Sequence, residues 1–320
     1  MSDFKINSIV DSKGAYGPSI AGVATVNSTG CMKIPSGDTS KRVTLSRSAE
    51  NIVTDQLFAL YDAGQGSVRE VSTTLFDVSG NGRDLPMAGI NDPNSHTNKA
   101  VTFDHNNGGG IRFTYPGAQW WRDKWGTKYN FTVGNPAGSS TYGPATYNQF
   151  SVEMWYKIPS STDRIHLWEF GNGNEGDGTY SNVSMNLNDG RAIWVYTDNG
   201  SPYHLFSSSD DGEYTDGTIR HMVYTYNYSE LRDNDLTLGN GLGYMNGSVI
   251  SGTSFSGSQR WNVNQIITNG ASPWFTIGGT YQGSQHWPDG SILYKCAVYT
   301  KALSASEVSQ NYNALLYRFS

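Results

Sequence analysis

Two glutamates lie in stretches where apolar and polar residues alternate: Glu153 in FSVEMWYKI and Glu169 in HLWEFGN. Hydrolysis of a glycosidic bond needs two carboxyl groups, about 5 Å apart in retaining enzymes. Neither glutamate has a second acid at i+2 or i+4, so neither stretch supplies that pair. A lone strand glutamate reads as a solvated face residue. The six histidines (His96, His105, His166, His204, His221 and His286) form no H-x-H or H-E-x-x-H arrangement, so zinc chemistry is unsupported. No G-x-S-x-G elbow presents a nucleophilic serine. The glycine-rich GNGNEGDG (171–178) lies between strand-like stretches rather than before a helix, and makes a poor phosphate loop. The expectation is that the chain is not an enzyme.

Two other sets of residues suit binding. Asp77, Asn81 and Asp84 share one tight loop, and their oxygens suit a hard cation such as calcium. The alternative is that Asp77 holds turn amides, as Asx residues do. The acidic GNGNEGDG and SSSDDGEYTDG (207–217) read equally as solvated turns. Aromatics carry the stronger signal. Trp120, Trp121 and Trp125 crowd one stretch, while Trp261, Trp274, His286 and Trp287 lie in or near later loops. Indole packs against the C–H faces of sugars while polar neighbours bond the hydroxyls, so these seven residues are the glycan-binding candidates. The competing reading places the tryptophans in a core or a subunit interface.

The elements that would position these residues are strands. The 320 residues include 37 Gly, 20 Tyr and 9 Trp, with only 16% charged. Glycine and asparagine serve turns, and tyrosine and tryptophan suit pleated surfaces. A net charge of −6 with no basic run argues against a nucleic-acid partner. No apolar run approaches the ~18 residues of a membrane span. MSDFKINSIVDSKG lacks the basic start and apolar core of a secretory signal. Cys31 and Cys296 are far apart and read as free thiols. Synthesis and assembly inside a cell are therefore expected, with release by lysis.

Residues 1–50 read as an extended arm, with short strands at 20–26 and 31–34 and too little apolar surface for a core of its own. Residues 51–320 read as one domain of about a dozen strands joined by short Gly/Asn turns: a two-sheet antiparallel sandwich or jelly roll. KAVTFD and GGIRFTY form a hairpin about Asn106-Asn107-Gly108, and Asn246-Gly247 marks another. Residues 114–148 form one long connection carrying three Trp and four Tyr. YTKALSASEVSQNYNA (299–314) reads as a helix, with Ser304 and Glu307 in a capping-box spacing and Val308, Tyr312 and Leu315 or Leu316 on one face.

DVSGNGRDL, FSVEMWYKI, LGYMNGSVI, FTIGG and YTKALSASEVSQNYNA together resemble the laminin-G-like, concanavalin A-like jelly-roll superfamily over residues 56–316. The resemblance implies that the last strand completes the sandwich and the helix packs across its edge. Val308 and Tyr312 would then be buried, and Glu307 would serve the cap. Glucanase relatives carry E-x-D-x-x-E on one strand, and this chain has no such strand. GPSIAGVATVNSTGCMKIPSG also resembles a segment ahead of such domains in virion structural proteins of tailed phages, notably those of marine cyanobacteria. That resemblance implies a virion component in the head decoration, neck or tail. Residues 1–50 would bind other virion proteins, the assembly would be a homo-oligomer such as a trimer, and the jelly roll would meet a cell-surface polysaccharide. The alternatives are a free carbohydrate-binding module or lectin, and a divergent glycosidase.

Overall fold

The computed structural model describes residues 51–65, 74–88, 102–104, 109–113, 120–123, 125–131, 146–161, 163–173, 180–188, 192–198, 203–207, 214–227, 241–250, 274–279 and 287–319. The expected arm, with its strands at 20–26 and 31–34, lies outside them. In chain order the strands are β1 (Leu57–Asp62), β2 (Thr74–Leu75), β3 (Leu85–Ala88), β4 (Thr102–Asp104), β5 (Gly110–Arg112), β6 (Trp120–Asp123), β7 (Gln149–Lys157) and β8 (Ile165–Gly173). They continue with β9 (Tyr180–Asn188), β10 (Ala192–Asp198), β11 (Tyr203–Ser207), β12 (Ile219–Asn227), β13 (Gly241–Met245), β14 (Ser248–Val249), β15 (Trp274–Ile277) and β16 (Ile292–Tyr299). The helices are α1 (Trp125–Tyr129) and α2 (Ala305–Leu316).

The strands form two antiparallel sheets. The first runs β14-β13-β12-β7-β16-β5-β4, and β16 also pairs with β1. The second runs β11-β10-β9-β8-β15-β6-β3-β2. The expected two-sheet jelly-roll sandwich is the observed architecture. β16 is central: β7 lies along one side, and β5 and β1 share the other. The expected hairpin at 99–115 appears as the β4–β5 pair. The long connection at 114–148 is not structureless. It contributes β6 to the second sheet and the single helical turn α1, because its tryptophans have core to enter.

The core follows from the two-residue period of strands, which sends alternate side chains to opposite faces. Met154 and Tyr156 on β7, Tyr224 on β12 and Cys296 on β16 face inward from the first sheet. Trp168 and Phe170 on β8, Met185 on β9 and Phe275 on β15 meet them from the second. Aromatic contacts dominate: Phe150 lies edge-on to Phe170 at 5.5 Å, and Trp125 stacks on Phe275 at 4.2 Å.

On β7 the outward residues are buried as well. Ser151, Glu153 and Trp155 are all at or below 2% exposure. α2 is the reason. It lies on the outer face of the first sheet rather than across the sandwich edge, as the sequence suggested. Val308 packs with Val223, Tyr244, Ala297 and Tyr299, and Leu315 packs with Trp155, Ile292 and Tyr294. Tyr312 is half-buried rather than fully buried, stacked flat on Trp155 at 5.5 Å. The helix starts as expected: Ser304 Oγ accepts from Glu307 N, and Glu307 Oε2 accepts from Ser304 N. The Asn246-Gly247 turn has φ of 50° and 79°, which suits a tight hairpin.

Candidate functional site

The outer face of the second sheet carries a polar row set by register. Arg122 on β6 stands opposite Thr276 on β15, Thr276 opposite Glu169 on β8, and Glu169 opposite Ser184 on β9. Each sits beside core residues in sequence: Trp121 before Arg122, Trp168 and Phe170 around Glu169, Val183 and Met185 around Ser184. Alternation therefore turns the row away from the core. His166 and Asn186 extend it, being register partners themselves. His166 Nδ1 lies 3.7 Å from Glu169 Oε2. Asn186 Nδ2 donates to Ser184 Oγ at 3.2 Å, and Thr276 Oγ1 donates to Gly279 O at 3.0 Å. Glu169, Ser184, Asn186, Thr276 and His166 are all buried. Arg122 and Trp274 are half-buried, with the Arg122 guanidinium 4.8 Å from the Trp274 ring centroid.

Glu169 is thus not the solvated residue that its isolation in sequence implied: it is buried in the row. Its cross-strand neighbours are the hydroxyls of Thr276 and Ser184. The row offers hydroxyls, an amide, an imidazole, a carboxylate and a guanidinium beside an indole. Such a set can bond a hydroxyl-rich ligand and pack its C–H face.

Of the aromatic candidates, Trp274 stands beside this row. Trp121, Trp125 and Trp287 do not; they belong to the core. Trp121 is edge-on to Phe113 at 5.4 Å, and Trp287 stacks on Phe113 at 4.7 Å while its Nε1 donates to His166 O. Their size made them loop candidates, but an inward strand position or a half-filled core corner is where such rings bury most area. Trp120 is a backbone position on β6. Trp261 and His286 lie outside the described residues. The signal for Ser184, Asn186 and Thr276 was present in YSNVSMNLN and WFTI. Their polar positions hold small uncharged residues, not the lysines and glutamates of a solvated face.

Asp77, Asn81 and Asp84 do share one loop, with the hydrogen bonds of an Asx turn. Asp77 Oδ1 accepts from Leu60 N and Ser79 N, and Oδ2 accepts from Arg83 N. Asp84 Oδ1 accepts from Asp77 N, and Asn81 Nδ2 donates to Leu57 O and Phe58 O. The loop thereby fastens β1. Among the described residues no group of three His, Cys, Asp or Glu side chains is placed to hold a metal ion.

The first sheet's outer face carries a second polar cluster, sealed under α2. Glu153 Oε1 accepts from Lys295 Nζ at 2.7 Å, and Oε2 accepts from Asn311 Nδ2 at 2.6 Å. His221 Nε2 is 3.4 Å from Glu153 Oε1. Asn311 Nδ2 also reaches Tyr299 Oη at 3.1 Å, and its Oδ1 accepts from Val53 N at 2.7 Å. Arg318 grips Asp62 through both guanidinium nitrogens at 2.8 and 3.1 Å. Glu153 is therefore also a buried residue, at 0% exposure. Burial pushes its carboxyl up, but Lys295 and then His221 outweigh this and hold it well below the usual carboxylate range. Burial pushes the His221 imidazole down, with Glu153 opposing. The expected solvated glutamate is in fact the centre of an ion pair, and a strand with Trp155 among its outward residues was the sign that this face is covered.

Residues 134–309 match the family model described as the concanavalin A-like lectin/glucanases superfamily. No curated protein matches the chain in sequence. Similar solved structures include a Trypanosoma rangeli sialidase, 15% identical with a TM-score of 0.49 over 82% of this chain and 33% of that one. The chain thus spans about a third of the sialidase's length. Domain 4 of the arabinanase AbnA from Geobacillus stearothermophilus, solved with arabinotriose, is 17% identical with a TM-score of 0.48 over 80% of this chain and 98% of that one. The binding domain of botulinum neurotoxin DC, solved with rat synaptotagmin II, is 13% identical with a TM-score of 0.49 over 83% and 53%.

Proposed function

This chain belongs to the concanavalin A-like lectin/glucanases superfamily, and from that premise we propose that it is a non-catalytic recognition protein that binds a glycan on the outer face of its second sheet. The observation that carries the reading is the cross-strand row Arg122–Thr276–Glu169–Ser184 with Trp274 beside it. The outer face of the first sheet carries α2, which makes the second sheet's outer face the candidate for a ligand. Trp274 and Arg122, being half-buried, make first contact. Glu169 faces hydroxyls rather than a second carboxyl, which favours holding a sugar over cleaving it.

The test is a panel of algal and cyanobacterial polysaccharides, with binding measured by calorimetry and release of reducing ends measured in parallel. Binding that falls at least tenfold in Trp274→Ala, without sugar release, is the expected result. Sugar release that disappears in Glu169→Gln would make the chain a glycosidase and overturn the proposal. So would binding indifferent to Trp274→Ala.

The second part of the reading is that the chain is a structural protein of a tailed-phage particle, tied to other virion proteins or sister subunits through residues 1–50. Its support is the resemblance of residues 17–37 to segments of such proteins. A truncation starting at residue 51 that still binds glycan but no longer assembles into particles is expected. Purified particles lacking the chain by mass spectrometry would remove the virion role and leave a free lectin.

A further inference from the structure

One carboxylate, that of Glu153, holds both an amine and a carboxamide. Lys295 Nζ donates to Oε1 at 2.7 Å, and Asn311 Nδ2 donates to Oε2 at 2.6 Å. The Asn311 orientation is fixed by its neighbours: Val53 N–H points at Oδ1 from 2.7 Å, while Nδ2 has two acceptors, Glu153 and Tyr299 Oη. All three side chains are fully buried. Val223 and Ala297 flank Glu153 on the neighbouring strands, and Trp155 and Leu315 pack nearby beneath the helix. From this geometry we propose that the folded chain joins Lys295 to Asn311 through an isopeptide bond, with Glu153 carrying the protons.

The chemistry balances without any added reagent. The ion pair is the resting form. Transfer of one proton from the Lys295 ammonium to Glu153 across their 2.7 Å contact leaves an amine and a carboxylic acid, both neutral, as the reactive minority form. The Nζ lone pair attacks Asn311 Cγ, and the carbonyl electrons move onto Oδ1, where the Val53 N–H faces the developing charge. Glu153 gives its proton to Nδ2 and takes one from the new Nζ–Cγ ammonium. Collapse of the oxyanion breaks the Cγ–Nδ2 bond and releases ammonia, leaving a secondary amide and a protonated Glu153. Nucleophile, acceptor and proton carrier are fixed by three separate elements, β16, α2 and β7, so the step is intramolecular and gains the advantage of proximity. Water, which would compete for the carboxamide, has no access under the helix. The bond would staple α2 to the central strand of the first sheet.

Intact mass spectrometry of the full chain, purified folded and then denatured, decides the matter. The N-terminal peptide is read first, so that processing there is accounted for. The expected mass is lighter than the sequence by one ammonia molecule, and proteolysis yields one branched peptide joining the Lys295 and Asn311 segments. Lys295→Arg keeps the ion pair but supplies no amine, and is expected at full mass. Wild-type protein at full mass refutes the bond, whatever the variants do. A lighter mass without the branched peptide, or one that persists in Lys295→Arg, refutes it equally.

Discussion

His221 allows the sealed face to be read by pH. Its imidazole is fully buried, 4.8 Å from the Trp155 ring and 5.6 Å from Tyr312, with Glu153 Oε1 3.4 Å away. Burial lowers its affinity for a proton more than Glu153 raises it. The folded pKa therefore lies below the unfolded value of about 6.5. Between the two, the unfolded chain binds a proton that the folded chain excludes, so stability falls as pH drops through that window. One excluded proton amounts to at most about 1.4 kcal/mol per pH unit below 6.5. From pH 7.5 to 5.5 the loss from this residue is therefore at most about 1.4 kcal/mol, the limit in which the folded imidazole stays neutral throughout. Glu153 adds nothing in that range. Its folded pKa is depressed, so its contribution is complete above the ordinary carboxylate range and fades only in stronger acid. The assay is thermal or urea unfolding of wild type and His221→Gln at both pH values. The variant should lose less than wild type over the interval, by no more than about 1.4 kcal/mol, whatever its starting stability. Equal losses in the two proteins would mean that folding leaves the His221 pKa unshifted, and a smaller loss in wild type would mean that the imidazole is protonated in the fold; either would refute the reasoning.

Two further substitutions test how α2 is held. Ser304→Ala removes the acceptor for Glu307 N and should cost about 1 kcal/mol in unfolding free energy, read by urea titration. Gly247→Ala meets two obstacles, a φ of 79° and a Cβ that would lie 2.8 Å from Tyr312 Cδ1. It should cost more than about 1 kcal/mol, with lost near-ultraviolet circular dichroism as Tyr312 is pushed off Trp155.

The sandwich was legible because its signals are local. Alternation, Asn-Gly turns and the Ser304–Glu307 box each need only a few neighbouring residues, and all reappear as strands, hairpins and a cap. The sites were harder because each is assembled across strands. Glu153, Lys295 and Asn311 are separated by 142 and 158 positions in their bonds, and no spacing rule links them. The row on the second sheet depends on which strands are neighbours, and β15 comes between β8 and β6 only through the fold. Tryptophans misled for a related reason. Large rings near glycines suggest exposed loops, yet Trp125 and Trp287 fill core corners that exist only once both sheets have closed.

The two outer faces obey one rule with different covers. A strand residue that points away from the core is polar unless something covers it, and the cover decides which polar residue it can be. Under α2 the cover is apolar, and Glu153, Lys295, Asn311, Tyr299 and the Val53 amide satisfy one another there, while both His221 ring nitrogens and Trp155 Nε1 are buried without a hydrogen-bond partner. On the second sheet the set is not closed within the row. Asn186 Oδ1 is buried with no hydrogen-bond partner, beside Ser184 and one strand from Glu169. A buried acceptor in that condition costs about 1–3 kcal/mol. A sugar hydroxyl is a donor of the kind this acceptor lacks, and the proposed glycan site would supply one.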